Sequence, residues 1–163
     1  MRIQQKKLLL IYTYCLLSVA FISCEQEKKE YLTPIFDGKT LNGWHILGGE
    51  ATYRVENGEI IGTTVANTPN TFLVTDSIYS DFILELDFKT DSVSNSGVQI
   101  RSNSYDWYRD GIVHGYQVEI DPSGRAWSGG IYDEKRRKWL YPLEGNESAQ
   151  KAYKPNDWNH FRI

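Results

Sequence analysis

Cysteine is scarce in this chain. Of 163 residues only Cys15 and Cys24 are cysteines, so everything after residue 24 lacks a disulfide framework, a thiolate metal site and a Cys nucleophile, and must be held by its core. Basic clusters are missing too. The net charge is -3 with a pI of about 5.6, and no block of like charge gives the electrostatic footprint that nucleic acid requires. No segment beyond the first thirty residues keeps a helical apolar period over three turns. The one long apolar run, Leu8 to Ile22, is short for a bilayer span. At this length there is room for one domain and no second core.

What is present begins with that apolar run. Arg2, Lys6 and Lys7 precede it and Ser23-Cys24 closes it, the layout of a secretory leader. A small residue followed by Cys resembles the lipobox of bacterial lipoproteins, although Phe21 and Ile22 stand where Leu and a small residue are more usual. The expectation is a signal peptide over 1–23 and a lipidated Cys24 at the head of a polar tether, 24–33. The protein would then be exported across the inner membrane and anchored in the periplasm or at the outer-membrane or cell surface, touching the membrane through its lipid alone. A plain secretory leader with a coincidental Cys is the alternative.

The mature region reads as strands. Asp37-Gly38 and Asn42-Gly43 are turn dipeptides. Tyr53–Val55 and Glu59–Thr63, joined by Glu56-Asn57-Gly58, form a hairpin pattern. Thr71–Val74 is a further short strand, and Phe82–Lys89 alternates with Phe82, Leu84, Leu86 and Phe88 on one side. Lys138–Leu140 and Trp158–Ile163 follow, the latter with Trp158, His160 and Arg162 opposite Asn159, Phe161 and Ile163. Strands divided by turn signals, with no helix between them, predict an antiparallel sandwich. The last strand stops without a return partner, which would leave a long unpaired edge, so closing strands are expected beyond Ile163. The 5 Trp, 11 Tyr and mean hydropathy of -0.48 suit a sugar-stacking surface and a β-sandwich equally.

Asn95 to Tyr132 carries the chemistry. Val98 and Ile100 alternate with Gly97, Gln99 and Arg101, and Tyr116, Val118 and Ile120 alternate with Gln117, Glu119 and Asp121. One face is apolar and the other holds an Arg, two carboxamides and two carboxylates, an inventory suited to a polyhydroxylated ligand.

Several short motifs share one family's order: Phe36-Asp-Gly-Lys-Thr-Leu-Asn-Gly-Trp44, Asn95-Ser-Gly-Val98 with Arg101, Gly115-Tyr-Gln-Val-Glu-Ile-Asp121, Gly129-Gly-Ile-Tyr132 and Trp158-Asn159. From Phe36 onward the chain resembles the 3-keto-disaccharide hydrolase domain. The resemblance implies an all-β, concanavalin A-like jelly roll of two antiparallel sheets over 34–163, a sugar site on the concave face, and action on glycosides oxidised at C3. Many relatives read Gly-Tyr-Glu-Val-Gln where this chain has Gly115-Tyr-Gln-Val-Glu119. Acid and amide have changed places, so a catalytic role at the usual Glu position does not transfer to Gln117.

Such chemistry needs a base near C2, whose proton the C3 ketone acidifies, an acid near the glycosidic oxygen and a donor to the keto oxygen. Glu119 and Asp121, with Cα atoms about 6.5 to 7 Å apart, are candidate acid and base. Arg101 is the candidate electrophile and His114 a proton donor or acceptor. Asn95, Gln99, Gln117, Trp127 and Tyr132 are candidate substrate contacts. Each also has a plainer reading. Glu119 or Asp121 could pair with Arg101 across the strands, or Asp121 could cap the turn at Pro122-Ser123-Gly124. His114 could be a solvated loop residue, Asn95-Ser96-Gly97 a tight turn, and Trp127 and Tyr132 core. No cofactor is specified by a motif, and Glu119, Asp121 and His114 could form an oxygen and nitrogen set for a divalent ion. The expected substrate is a carbohydrate, a 3-keto-glycoside cleaved by elimination and hydration or by net hydrolysis. A non-catalytic carbohydrate-binding module on the same scaffold is the alternative.

Overall fold

A computed structural model describes residues 31–163 apart from Ser92, and Pro34–Ile163 form one compact unit. The leader and Cys24 lie outside the described residues. Among the described residues ten strands follow in order: β1 Trp44–Gly48, β2 Thr52–Glu56, β3 Glu59–Thr63, β4 Thr71–Thr75, β5 Glu85–Phe88, β6 Ser96–Asn103, β7 His114–Ile120, β8 Ile131–Glu134, β9 Lys138–Tyr141 and β10 Asn159–Arg162. A single helical turn, α1 Glu147–Gln150, sits between β9 and β10. All pairings are antiparallel: β1 with β4, β2 with β3, β5 with β10, and a four-stranded sheet ordered β6-β7-β8-β9. The fold is all-β, with sheets that do not close into a barrel, as in a β-sandwich.

Local chemistry accounts for the smaller elements. Asn57 and Gly58, at φ 53° and 84°, supply the two left-handed residues that a tight β2–β3 turn needs. In β10 the expected alternation appears. Phe161 packs on Phe88 with ring centroids 4.5 Å apart, while His160 and Arg162 reach Asp87 and Glu85 on the exposed side. Asn146 caps α1, its side chain accepting from the Ala149 N–H at 3.2 Å.

The four-stranded sheet is where the chain is most buried. β7 lies between β6 and β8, and every residue of it except Tyr116 is buried. Val118 and Ile120 join Phe88, Val113 and Leu143 in the apolar core. The polar side of β7 is as enclosed as the apolar side, which alternation alone does not foretell.

β6 breaks its alternation near its end. Ile100 pairs with Tyr116, but the next pair is Asn103 with His114, so three steps on β6 oppose two on β7. Arg101, at φ 49°, is in the resulting bulge. Gly115 faces it at φ 145°, and a Cβ there would stand 2.6 Å from the Ser102 Cα, so only glycine lets the two backbones approach. Gly115→Ala is expected to lower stability by about 2 kcal/mol or more. Gly124→Ala, which meets open space, should stay within about 0.5 kcal/mol of wild type. Urea unfolding of both variants checks this; equal midpoints would show that the close approach is not needed.

Candidate active site

The polar face of the sheet is built by register. Gly97 lies opposite Glu119 and Gln99 opposite Gln117, while Tyr132 and Glu134 of β8 lie opposite Gln117 and Gly115, and Trp139 of β9 opposite Tyr132. Side chains of one parity therefore gather above one patch. The patch floors a cavity of about 470 Å³ lined by Gln117, Glu119, Tyr132, Glu134 and Trp139, with Asn70, Asn95, Asp121, Arg125 and Lys135 at its sides. That volume is in the range of small-molecule sites.

Glu119 is at its centre, 4% exposed. Its Oε1 accepts from Asn95 Nδ2 at 2.6 Å and its Oε2 from Gln117 Nε2 at 2.7 Å. Gln117 accepts in turn from Gln99 Nε2 at 2.9 Å, and Gln99 from the Ser102 hydroxyl at 2.5 Å. Gly97 makes room for this row, since a Cβ there would fall 2.5 Å from Gln117 Cγ. A buried carboxylate is costly unless its oxygens are satisfied. Here the donors are neutral carboxamides, and among the described residues no cation stands within ion-pair distance of Glu119.

The other acids are held differently. Asp121 is nearly inaccessible and accepts from the Ser123 N–H at 3.0 Å and from Arg125 Nε at 3.1 Å. Burial pushes its carboxyl upward, but the Ser123 hydrogen bonds and the Arg125 charge together outweigh it and hold it below the usual carboxylate value. Asp121 caps the turn and also lines the cavity. Arg125 lies over the Trp127 and Trp139 rings at 5.1 and 5.5 Å. Glu134 accepts from Asn70 Nδ2 at 3.1 Å and lies 3.4 Å from Lys135 Nζ.

The residue 32–163 stretch matches the family model described as a 3-keto-alpha-glucoside-1,2-lyase-like domain. The chain belongs to that family. No curated protein matches it. Membership gives this lyase-like domain a carbohydrate-active character in general.

Within the lyase-like domain the sequence-predicted residues divide. Glu119, Asp121, Asn95, Gln117 and Tyr132 come together on the cavity wall. Gln99 stands behind Gln117 rather than on the wall. Arg101 does not join them: the bulge takes it off the polar face, and its guanidinium is exposed, 3.7 Å from Asp81. His114 is not a solvated loop residue. It begins β7, is buried, bonds the Ile112 carbonyl through Nδ1 at 2.8 Å and packs on Tyr108 with centroids 4.1 Å apart. It shares parity with Tyr116 and Val118 and is not on the cavity wall, so Glu119, Asp121 and His114 do not converge as a metal set. Among the described residues no three His, Cys, Asp or Glu side chains gather closely enough to hold an ion. Trp127 backs the cavity by packing edge-on against Trp139 at 4.8 Å, and Trp139 takes the wall.

Sequence reasoning missed Asn70, Arg125, Glu134, Lys135 and Trp139. Continuing the β8 alternation from Tyr132 would have reached Glu134; the others lie in turns or on a short strand with no pattern to expose them. Asp121 yields a pH prediction. Because its folded-state pKa is lowered, its contribution is fully present above the ordinary value near 3.8 and is lost as pH falls through the lower folded value. Asp121→Asn should cost about 1–3 kcal/mol at neutral pH, with the gap from wild type narrowing below about pH 4. A gap that stays constant on acidification would show that the charge does not matter.

Proposed function

We propose that this domain cleaves 3-keto-glycosides by base-initiated elimination followed by hydration. The observation that supports it is the setting of Glu119: an acid on the cavity wall, oriented by two amides and, among the described residues, without an ion-pair partner. Glu119 removes the C2 proton, and the electrons of the C–H bond move toward the C3 ketone. Arg125 takes the part first assigned to Arg101. Its Nε is bound to Asp121, and its NH groups are assigned the role of donors to the developing enolate oxygen. As the enolate collapses, the C1–O bond breaks and the leaving oxygen takes a proton from protonated Glu119, giving an enone and a free alcohol or sugar. Water then adds across the double bond, hydroxyl to C1 and hydrogen to C2, so the net result is hydrolysis. Tyr132 and Trp139 supply ring surface for the pyranose.

The same proposal places the protein at the bacterial envelope, with Cys24 acylated and 24–33 as its tether. Its support is the pattern of the leader.

Incubation with a 3-keto-disaccharide should release free sugar with transient enone absorbance, and Glu119→Gln should reduce the rate by at least about 100-fold. Unoxidised disaccharides should be inert, because their C2 proton is not acidic. Comparable cleavage of both would argue for direct glycosidic displacement instead. Saturable binding of the keto-sugar without turnover would mark the cavity as a carbohydrate-binding module.

A further inference from the structure

The row behind Glu119 can run in two directions. Gln99 and Gln117 are carboxamides whose oxygen and nitrogen exchange positions on a half-turn of the amide. In one direction the Ser102 hydroxyl donates to Gln99, Gln99 to Gln117 and Gln117 to Glu119 Oε2, with heavy-atom separations of 2.5, 2.9 and 2.7 Å. This polarity delivers an N–H to Glu119 and fits its ionised form. With both amides turned, Glu119 can bond to Gln117 only by donating a proton from Oε2. Gln117 then donates to Gln99, and Gln99 to Ser102 Oγ. The Ser102 hydroxyl has a second acceptor for that state, the Ile100 carbonyl at 3.3 Å. Asn95 donates to Oε1 in both states, since that oxygen accepts whether the acid is charged or neutral.

We infer that Ser102, Gln99 and Gln117 are positioning residues forming a reversible hydrogen-bond ladder, which keeps Glu119 satisfied and in one place in both protonation states. The inference deepens the assignment of Glu119 as the base and rests on that reading. A base that takes a proton and then returns it must be held equally well before and after. An arginine partner cannot do this, because it only donates. No proton travels along the ladder; the amides turn, and the single proton gained by Oε2 is shared with Gln117. The order of residues 117 and 119 then has a purpose: the amide joins the acid to β6, where Gln99 and the bulged Ser102 complete the row. The charged groups facing Glu119 across the cavity are Asp121 and Arg125 from the β7–β8 loop, Glu134 from β8 and Lys135 from the β8–β9 turn. β6 presents only neutral groups to it.

The test is a side-chain NMR titration of the whole chain, following Glu119 Cδ together with the Nε2 groups of Gln99 and Gln117. All three signals should move with one midpoint, although Gln99 does not touch Glu119. A Gln99 signal that stays fixed while Glu119 titrates overturns the ladder. Gln99→Glu supplies an acceptor only, which locks the second polarity. It should raise the Glu119 midpoint by at least about one unit, more than in Gln99→Leu; an equal or smaller rise overturns the ladder. With a 3-keto-disaccharide, Gln99→Leu should lower kcat about tenfold and leave KM within about twofold, whereas an unchanged kcat speaks against positioning. Joint titration in a protein that cleaves no keto-sugar supports the ladder and removes the functional reading.

Discussion

A carboxylate taken out of water at the centre of a sheet imposes conditions on everything near it. Glu119 is on a strand flanked by two others, so water cannot satisfy it from the sides, and an uncompensated ionised acid there would cost several kcal/mol. The donors must therefore come from the protein, and the register of β6 against β7 supplies them. Gly97, opposite the acid, leaves the space in which the Gln117 side chain lies, and the row continues through Gln99 to Ser102 at the bulge. The bulge in turn depends on Gly115. Position, hydrogen bonding and backbone form one connected requirement.

The contrast with the other buried acids gives Glu119 its meaning. Asp133 is fully buried, and Arg136 and Arg137 bind its two oxygens at 2.7 and 2.5 Å while lying over the Tyr116 ring. Burial raises its pKa, but the two guanidiniums outweigh burial and lower it, which fits a group that fastens the β8–β9 turn and stays charged. Asp121 is fixed in a similar way by Arg125. Glu119 has amides where these have arginines. Asp121 and Asp133 are thus fixed by arginines and Glu134 lies beside Lys135, whereas the partners of Glu119 are neutral amides.

Much of the fold was legible because β-sheet signals are local. The Asn57-Gly58 turn, the Phe82–Lys89 and Trp158–Ile163 alternations and the polar face of β7 each depend on a few adjacent residues. Parity also put Gln117 and Glu119 on one face, as the register shows. Arg101 was misplaced because one inserted residue reverses parity, and nothing in Ile100-Arg101-Ser102-Asn103 announces a bulge. His114 shows the opposite error: treated as a loop residue, it was not given the parity that separates it from Glu119. Trp127 and Trp139 could not be distinguished, since two aromatics that pack edge-on are equivalent in sequence until the strand order is known. Asn70 and Arg125 come from connections whose path depends on the assembled sheets. The family motifs named the chemistry sooner than any single residue did, yet the exchange of acid and amide at 117 and 119 required the geometry to show that the acid still reaches the cavity.

The central claim is that Glu119 takes a proton from C2 of a ketone-bearing pyranose. The most direct measurement compares a 3-keto-disaccharide carrying hydrogen at C2 with one carrying deuterium there, in competition at low concentration so that kcat/KM is read. Slower consumption of the deuterated sugar is the predicted result. Equal consumption of the two would contradict the account.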